Sequence, residues 1–380
     1  MKSKNILMLA VSSVVTLAAA VAVVVIVLNS RGVSGDMAQA GPPAEIVVEE
    51  PTPEPTPEPT PEPEPYRLTV CGETVWSNVT SLDLSSHEIT DLSEIAQLTE
   101  LTELDLSCNE ISDISPLANL MKLTDLSLYY NQITDITPLK GLINLTVIVL
   151  FNNEISDISP LANLSNLIDI DLSYNQISDI SPLENLANLT RLMFEGNPIS
   201  DFSLLENFPN LTGLGVGDNL TDDFSFVERF TNLKELSLTH AQLRDMSLIK
   251  NPENLESLCL SDNQIDDISL LRNSTNLEVL IFSKNQISDI SPLENLTNLG
   301  LLLLDSNQIS DIGPLENLTN LNALRLANNQ ISDITPLKKM SSLAFLNVMN
   351  NPIDDTSRME LQQALPHCYI SFALPPEDNQ

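Results

Sequence analysis

The sequence predicts an α/β repeat solenoid of about 13 rungs, because one 22-residue pattern recurs from about residue 79 to residue 355. Within each rung the apolar residues have fixed spacings, as at Leu101, Leu104 and Leu106. An asparagine follows three residues after the last of these leucines, and only His87 and Ala241 interrupt its row. A fixed period of this length indicates stacked supersecondary units, each of which buries its apolar side chains against its neighbours.

The asparagine row has a predicted structural role. A side-chain amide at the turn after each strand can bond to backbone N–H and C=O groups of its own rung and of the adjoining one, which are costly to bury without partners. The row consists of Asn109, Asn131, Asn153, Asn175, Asn197, Asn219, Asn263, Asn285, Asn307, Asn329 and Asn351.

A second polar row places an aspartate in every rung, as at Asp113. Carboxylates repeated about every 5 Å suggest a calcium ladder. The interpretation we favour is capping, because in the order Asp-Ile-Ser-Pro the carboxylate can accept backbone N–H bonds of the next turn while proline sits where no donor is needed. We therefore expect no metal and no other cofactor.

The formal net charge is −35, but 13 of the 52 acidic residues occupy that single aspartate position, so much of the charge is architectural. Binding of nucleic acid or of an anionic lipid surface through a broad patch requires clustered Lys and Arg. We therefore expect no nucleic-acid partner.

Residues 1–30 are predicted to be a membrane anchor or a signal segment. The apolar run from Ile6 to Leu28 is long enough, at about 1.5 Å per residue, to cross a bilayer core of about 30 Å. Lys2 and Lys4 before the run favour an anchored chain whose remainder lies on the extracellular face, as expected for a bacterial surface protein. The alternative is a cleaved signal peptide with a site at Ala38-Gln39-Ala40, which would leave the chain secreted.

Three further segments flank the repeats. Residues 31–65 are rich in Pro, Glu and Thr, which predicts an extended polyproline II linker; a ligand for SH3-type modules is the alternative. Residues 66–78 alternate in hydropathy around Cys71-Gly72-Glu73, which predicts a β-hairpin cap for the first rung. Residues 356–380 are predicted to be a C-terminal cap and tail, with one or two helical turns from Ser357 to Leu365.

The four cysteines are expected to be free thiols. Cys108 and Cys259 lie seven rungs apart, about 34 Å at about 4.8 Å per rung, whereas a disulfide tolerates a Cα separation of about 7 Å. A link between Cys71 and Cys108 is the one geometrically conceivable pairing.

The repeat closely resembles that of the bacterial internalin family of leucine-rich repeat proteins. In rung two it reads Leu101-x-x-Leu104-x-Leu106-x-x-Asn109-x-Ile111-Ser-Asp113-Ile114-Ser-Pro116-Leu117. The resemblance implies a right-handed horseshoe with a parallel β-sheet on its concave side and short 3-10 or irregular segments on its convex side. It also implies recognition of a protein partner by that sheet. Because the chain lacks the family's immunoglobulin-like module after the repeats and has an N-terminal anchor, a host-invasion role does not carry over.

Outward strand positions need no particular residue for folding, so apolar clusters there indicate a recognition surface. The first predicted cluster is Tyr129, Tyr130, Val147, Val149, Phe151 and Tyr174. It is rimmed by Glu103, Asp105, Asp125, Asp169, Asp171 and Glu195. The second is Val279, Ile281, Leu301 and Leu303, flanked by Lys284, Asp305 and Arg325. The alternative is that valine and leucine here reflect only strand propensity.

The rungs over residues 197–275 depart from the pattern. Their convex prolines are replaced by Leu204, Phe226, Leu248 and Leu270. The outward face of rung seven carries Gly213, Gly215 and Gly217. Changed curvature, a bare notch that accepts a partner's side chain, and drift under weak selection are all consistent with this.

The leading functional hypothesis is a monomeric, non-enzymatic cell-surface module for adhesion or scaffolding that binds a protein or peptide partner. The alternative is an intracellular regulatory scaffold like the protein phosphatase regulators that have related repeats. An enzyme is not expected, because His87 and His240 lie seven rungs apart and no nucleophile elbow or phosphate loop is present. We expect Phe151→Arg or Leu303→Glu to abolish partner binding with little change in melting temperature.

Overall fold

The computed structural model describes residues 65–372 and has the predicted solenoid architecture. Thirteen rungs, numbered from the one that contains His87 to the one that contains Asn351, each contribute a three-residue strand to one parallel β-sheet on the concave side. Between successive rungs each strand residue pairs with the residue 22 positions further on, as Leu104 does with Leu126. The strands are β3 (Ser81–Asp83), β4 (Glu103–Asp105), β5 (Asp125–Ser127), β6 (Val147–Val149), β7 (Asp169–Asp171), β8 (Arg191–Met193), β9 (Gly213–Gly215), β10 (Glu235–Ser237), β11 (Ser257–Cys259), β12 (Val279–Ile281), β13 (Leu301–Leu303), β14 (Ala323–Arg325) and β15 (Phe345–Asn347).

Short 3-10 helices form the convex side. In rung two, Leu117 N donates to Ile114 O at 3.0 Å, and Pro116 lies in the first turn, where no donor is needed. The helices span Ile95–Gln97, Ser115–Asn119, Thr137–Gly141, Ser159–Leu161, Ser181–Leu183, Ser203–Asn207, Ser225–Arg229, Pro252–Asn254, Ser269–Asn273, Ser291–Leu293, Gly313–Leu315 and Thr335–Lys339.

The repeated aspartates satisfy the N-terminal turns of these helices. Asp113 Oδ1 accepts a hydrogen bond from Ser115 N at 2.8 Å. This bond lowers the pKa of the Asp113 carboxyl. The predicted N-cap position is wrong by one residue, because Ile114 is the N-cap and the aspartate precedes it.

The core is an aliphatic column between the sheet and the convex side. The inward leucines at the centre of the strands stack along it, and Leu104 and Leu126 are 3% and 1% exposed. Burial of one such side chain contributes about 1.5–3 kcal/mol. Because strand side chains alternate between the two faces, the neighbouring positions 103 and 105 lie on the concave surface.

The asparagine row joins adjacent rungs. Asn131 Oδ1 accepts from Ile111 N at 3.0 Å, while Asn131 Nδ2 donates to Leu106 O and Leu128 O, both at 3.0 Å. One side chain thus bonds to the backbone of its own rung and of the preceding rung. The same arrangement recurs along the row, where every member except the half-buried Asn219 is buried.

The two rungs that lack this asparagine receive hydrogen bonds from the asparagine of the following rung. Asn109 Oδ1 accepts from His87 N at 3.0 Å and from the N–H two residues later at 2.9 Å. Asn263 Oδ1 serves Ala241 N and the N–H two residues later in the same way, at 3.1 and 2.9 Å. The interruptions therefore leave no break in the solenoid.

A hairpin precedes the first rung. Strands β1 (Arg67–Val70) and β2 (Glu73–Trp76) pair antiparallel, and Gly72 between them has a φ of 85°, which favours glycine. Val70 is fully buried and packs in the core cluster, so the hairpin covers the apolar end of the column.

The C-terminal end is covered by a helix and a strand. Helix α1 (Asp355–Ala364) begins two residues before the predicted helical turns, because Asp354 is its N-cap and accepts from Ser357 N at 3.0 Å. Strand β16 (Tyr369–Ser371) then pairs parallel with β15 and becomes the fourteenth strand of the sheet. The repeat pattern did not predict this strand.

Within residues 65–372 there is no helix long and apolar enough to cross a membrane. The predicted membrane or signal segment, Ile6 to Leu28, and all but the last residue of the predicted linker lie outside the described residues, as does the tail from residue 373. Cys71, Cys108, Cys259 and Cys368 are free thiols.

Candidate protein-binding face

Each rung presents four residues on the concave surface. In rung three these are Asp125 at position one, Ser127 at position two, Tyr129 at position three and Tyr130 at position four, and Asn131 of the asparagine row follows. Because the strands pair in strict 22-residue register, like positions of successive rungs form lanes that run across the strands.

Positions three and four of rungs three to five hold an aromatic cluster, which we define as Tyr129, Tyr130, Phe151 and Tyr174. Phe151 is its hub. The ring centroid of Phe151 lies 5.9 Å from that of Tyr129, 5.0 Å from that of Tyr130 and 6.0 Å from that of Tyr174. The last two pairs meet edge to face, a favourable aromatic geometry. The three tyrosines are partly exposed, whereas Phe151 is 2% exposed beneath them.

The tyrosines present neutral phenols. Burial raises the pKa of Tyr129 to about 12. Burial, together with the nearby carboxylate of Glu195, also raises the pKa of Tyr174. Each hydroxyl therefore keeps its proton at neutral pH and can donate a hydrogen bond to a partner.

Backbone conformation indicates that folding does not account for two of these tyrosines. Position four is left-handed in every rung, with φ of 54° at Tyr130 and 53° at Tyr174. A residue with a side chain pays about 1–2 kcal/mol there, and Asn, as at Asn152 between them, is better tolerated than a bulky residue. The fold imposes this conformation in every rung but does not require a tyrosine there.

The expectation that all outward apolar residues see water is wrong for five of them. Outward side chains pack against the same positions of adjacent strands, which lie only about 4.8 Å away. As a result, Val149, Phe151, Val279, Ile281 and Leu303 are at most 5% exposed. The residues that remain partly exposed are Tyr129, Tyr130, Val147, Tyr174, Leu301 and Arg325.

The second predicted cluster has a charge that is already paired. Arg325 Nε lies 2.6 Å from Asp305 Oδ2 in an ion pair, and Asp305 Oδ1 accepts from Ala327 N at 2.8 Å. Lys284 Nζ lies 3.5 Å from Asp262 Oδ2. This part of the face therefore offers a small apolar patch around Leu301 and no free charge from Arg325.

Carboxylates occupy four of the six places at positions one and two of the first three rungs. This acidic lane consists of Asp83, Glu103, Asp105 and Asp125. Strand pairing sets Asp83 beside Asp105 and Glu103 beside Asp125. Burial raises the pKa of Asp105, and the charge of Asp83 adds to this, although hydrogen bonds from Ser107 oppose it.

An arginine network lies beyond the aromatic cluster. Arg191 Nη1 lies 3.1 Å from Asp169 Oδ1, and Arg191 Nε donates to Glu235 Oε2 at 2.7 Å, two rungs further along. Asp171 lies 4.0 Å from the same guanidinium. These charge-assisted bonds hold the Arg191 side chain across rung seven, which lies between rungs six and eight.

The glycines of rung seven make room for that network. A Cβ at Gly213 would lie 2.8 Å from Arg191 Cγ, and a Cβ at Gly215 would lie 2.6 Å from Met193 Sδ. A Cβ at Gly217 would overlap the backbone of Thr239. The hypothesis of a bare notch is therefore wrong, because side chains of rung six fill the space beside Gly213 and Gly215, and the backbone of rung eight fills the space beside Gly217.

A buried carboxyl completes the network. Glu195 is 9% exposed and accepts a hydrogen bond from Ser237 Oγ. Burial, with the charges of Asp171 and Glu235, raises the pKa of Glu195 to about 7. The sequence placed Glu195 only on the rim of the cluster. The glycines of rung seven were the signal that side chains of rung six, Glu195 among them, extend over the next rung.

Comparisons with known proteins agree with this architecture. A profile of leucine-rich repeats in two copies matches residues 77–119, 122–163, 165–207, 253–295, 275–317, 297–339 and 319–361. Leucine-rich repeat domains are protein-interaction modules. The crystal structure of an internalin, InlF, from Listeria monocytogenes is 35% identical, with 81% of this chain and 91% of that chain covered and a TM-score of 0.56. The chain belongs to the leucine-rich repeat family and, within it, to the internalin-like proteins.

Two further solved structures share the fold. A leucine-rich repeat protein of Leptospira interrogans is 25% identical over 78% of this chain and 90% of that chain, with a TM-score of 0.53. The ectodomain of a plant membrane receptor kinase from Arabidopsis thaliana, solved in complex with Casparian strip integrity factor 2, is 20% identical over 78% of this chain and 41% of that chain, with a TM-score of 0.52. A search of curated proteins finds no match.

Proposed function

We propose that the chain is a non-enzymatic protein-binding module whose concave face captures a protein or peptide partner at the cell surface. The observation that carries this proposal is the aromatic cluster. Three partly exposed tyrosines surround the buried Phe151 on a face where the fold dictates no residue type. Rigid aromatic side chains at the centre of a surface with a charged rim are typical of residues that dominate binding energy.

The N-terminal sequence supports surface display. An apolar run long enough to cross a bilayer precedes a linker whose Pro-, Glu- and Thr-rich part, residues 41–65, can extend to roughly 75 Å at about 3.1 Å per residue. Such an arrangement holds a binding domain away from a membrane. A single chain suffices for the proposed binding, so we propose a monomer.

A random 12-residue peptide library displayed on phage tests the binding proposal. The bait is the full chain in mild nonionic detergent, and parallel selections use the variant Tyr130→Ser, Tyr174→Ser. We expect peptides that are enriched on the wild type at least tenfold over this variant. Tyr66→Ser is the matched control, because Tyr66 is 53% exposed at the start of the hairpin, away from the cluster. Peptides that are enriched equally on the wild type and on the Tyr130→Ser, Tyr174→Ser variant would contradict binding by the concave face.

Protease treatment of intact cells tests the location. Surface display predicts that the repeat region is released into the medium while a short N-terminal fragment remains with the cells. A repeat region that stays protected until the cells are lysed would contradict surface display.

A further inference from the structure

The acidic lane and the aromatic cluster are neighbours on one continuous surface. The lane occupies positions one and two of rungs one to three, and the cluster occupies positions three and four of rungs three to five. Asp125 and Tyr129 belong to the same rung, four residues apart, so the two features meet at rung three. A ligand that touches one therefore lies within reach of the other.

This surface carries negative charge with no neutralising partner of its own. The concave positions of rungs one to five contain no lysine or arginine. The nearest concave cation is Arg191, which is already bonded to Asp169 and Glu235. No cation among the described residues neutralises the carboxylates of the lane, which accept hydrogen bonds from neutral groups. Ser85 N donates to Asp83, Ser81 Oγ to Glu103 and Thr124 Oγ1 to Asp125.

We propose that the acidic lane and the aromatic cluster together bind an extended, cationic protein segment that carries an aromatic or large apolar side chain. The inference rests on the proposed function and specifies the chemistry of its partner. Arginine suits both halves of the surface, since its guanidinium pairs with carboxylates and stacks on tyrosine faces. The aromatic side chain of the segment packs among the tyrosines.

The spacing of the lane fits a chain of cations better than one metal ion. Among residues 65–372, no group of three or more His, Cys, Asp and Glu side chains is arranged to hold a metal ion. Rungs one to five span about 19 Å at about 4.8 Å per strand, which matches about six extended residues at about 3.3 Å each. The carboxylates of the lane, on rungs one to three, cover about 10 Å of this length, and the aromatic cluster covers the rest.

Charge argues against the two occupants closest at hand. Seven glutamates lie between Glu45 and Glu64 of the chain's own linker, so that segment would bring like charge to the lane. A second copy of a chain with net charge −35 meets the same repulsion. A cationic partner of different sequence is the complementary choice.

The test measures fluorescence anisotropy of a labelled eight-residue peptide with four arginines and two phenylalanines, titrated with the full chain in mild nonionic detergent. Two comparison peptides replace arginine by glutamate or phenylalanine by serine. We expect the first to lose binding and the second to bind at least about fivefold more weakly. Raising NaCl from 50 to 500 mM should weaken the parent peptide at least tenfold, because exposed charges are screened.

Two variants separate the contributions of charge and aromatic surface. The lane variant Asp83→Asn, Glu103→Gln, Asp125→Asn should bind at least tenfold more weakly at 50 mM NaCl and should lose most of the salt dependence. Its matched control, Glu110→Gln, Glu154→Gln, Glu253→Gln, removes the same charge from exposed residues outside the lane and should bind as wild type does. Tyr130→Ser should bind about tenfold more weakly while keeping the salt dependence.

Several outcomes would overturn the inference. Equal binding of the glutamate peptide, or equal loss in the lane variant and its control, would remove the cationic specificity. Dimerisation in light scattering that Tyr130→Ser abolishes would assign the surface to a second copy. Library peptides that depend on Tyr130 but carry no net positive charge would refute this inference and leave the proposed function intact. Absence of any Tyr130-dependent library peptide would refute the proposed function itself.

Discussion

Glu195 makes the stability of the solenoid depend on pH with a predictable sign. Burial raises its pKa from 4.5 to about 7. Between these values the folded chain binds more protons than the unfolded chain, so stability falls as pH rises and the loss is complete above pH 7. At about 1.36 kcal/mol per pKa unit, ionised Glu195 costs about 3 kcal/mol, most of which develops between pH 5 and pH 8.

The variant Glu195→Gln isolates this contribution, because glutamine keeps an oxygen that can accept the Ser237 bond but cannot ionise. We expect the melting temperature of the variant, relative to wild type, to rise by about 4 °C between pH 5 and pH 8, given an unfolding entropy of about 2.1 cal/mol/K per residue over about 300 residues. Circular dichroism at both pH values measures it. Glu253→Gln, at an exposed carboxylate, is the control and should show no such change. A difference between variant and wild type that stays constant with pH would refute the assignment of a buried, protonated Glu195.

Three other substitutions test the packing account, the first two by urea unfolding and the third by thermal unfolding. Gly217→Ala should destabilise the fold by several kcal/mol, because its Cβ meets the Thr239 backbone, whereas Gly141→Ala, with nothing near the added Cβ, should not; equal effects would contradict the close packing of rungs seven and eight. Asn131→Ala should cost about 3 kcal/mol or more, since three backbone groups lose their partner, and a neutral result would contradict the bridging role. Phe151→Arg should lower the melting temperature as well as binding, contrary to the sequence-based expectation, because it buries an unpaired charge; an unchanged melting temperature would contradict the burial of Phe151.

The repeat period allowed most of the fold to be predicted. A 22-residue spacing determines which residues turn inward, so the solenoid, the parallel sheet and the short convex helices could be predicted or were implied by the resemblance. Strand β16 could not, because Tyr369 pairs with Phe345, 24 residues earlier, and so lies outside the repeat register. Helix α1 was predicted two residues late because its N-cap is Asp354, whereas the Asp at the repeat position is 355.

The concave face was harder to predict because a lane is built by side chains from different rungs. Alternation along one strand correctly places Phe151 outward, but it does not show that three tyrosines from two other rungs lie over that ring. The glycines of rung seven likewise are explained only by neighbouring rungs: Arg191 and Met193 of the rung before lie beside Gly213 and Gly215, and the Thr239 backbone of the rung after lies beside Gly217. The repeat period predicts which face a side chain points to, whereas the burial of that side chain depends on the size and conformation of its neighbours in adjacent rungs.

Site-directed photocrosslinking tests the central claim most directly, namely that a partner lies on the aromatic cluster of the concave face. The photoreactive residue benzoylphenylalanine replaces Tyr130 in one full-length chain and Tyr66 in another, and each is irradiated with the arginine–phenylalanine peptide. We predict a crosslinked product at position 130, competed by unlabelled peptide, and none at position 66. Crosslinking at position 66 alone, or equally at both positions, would contradict the claim.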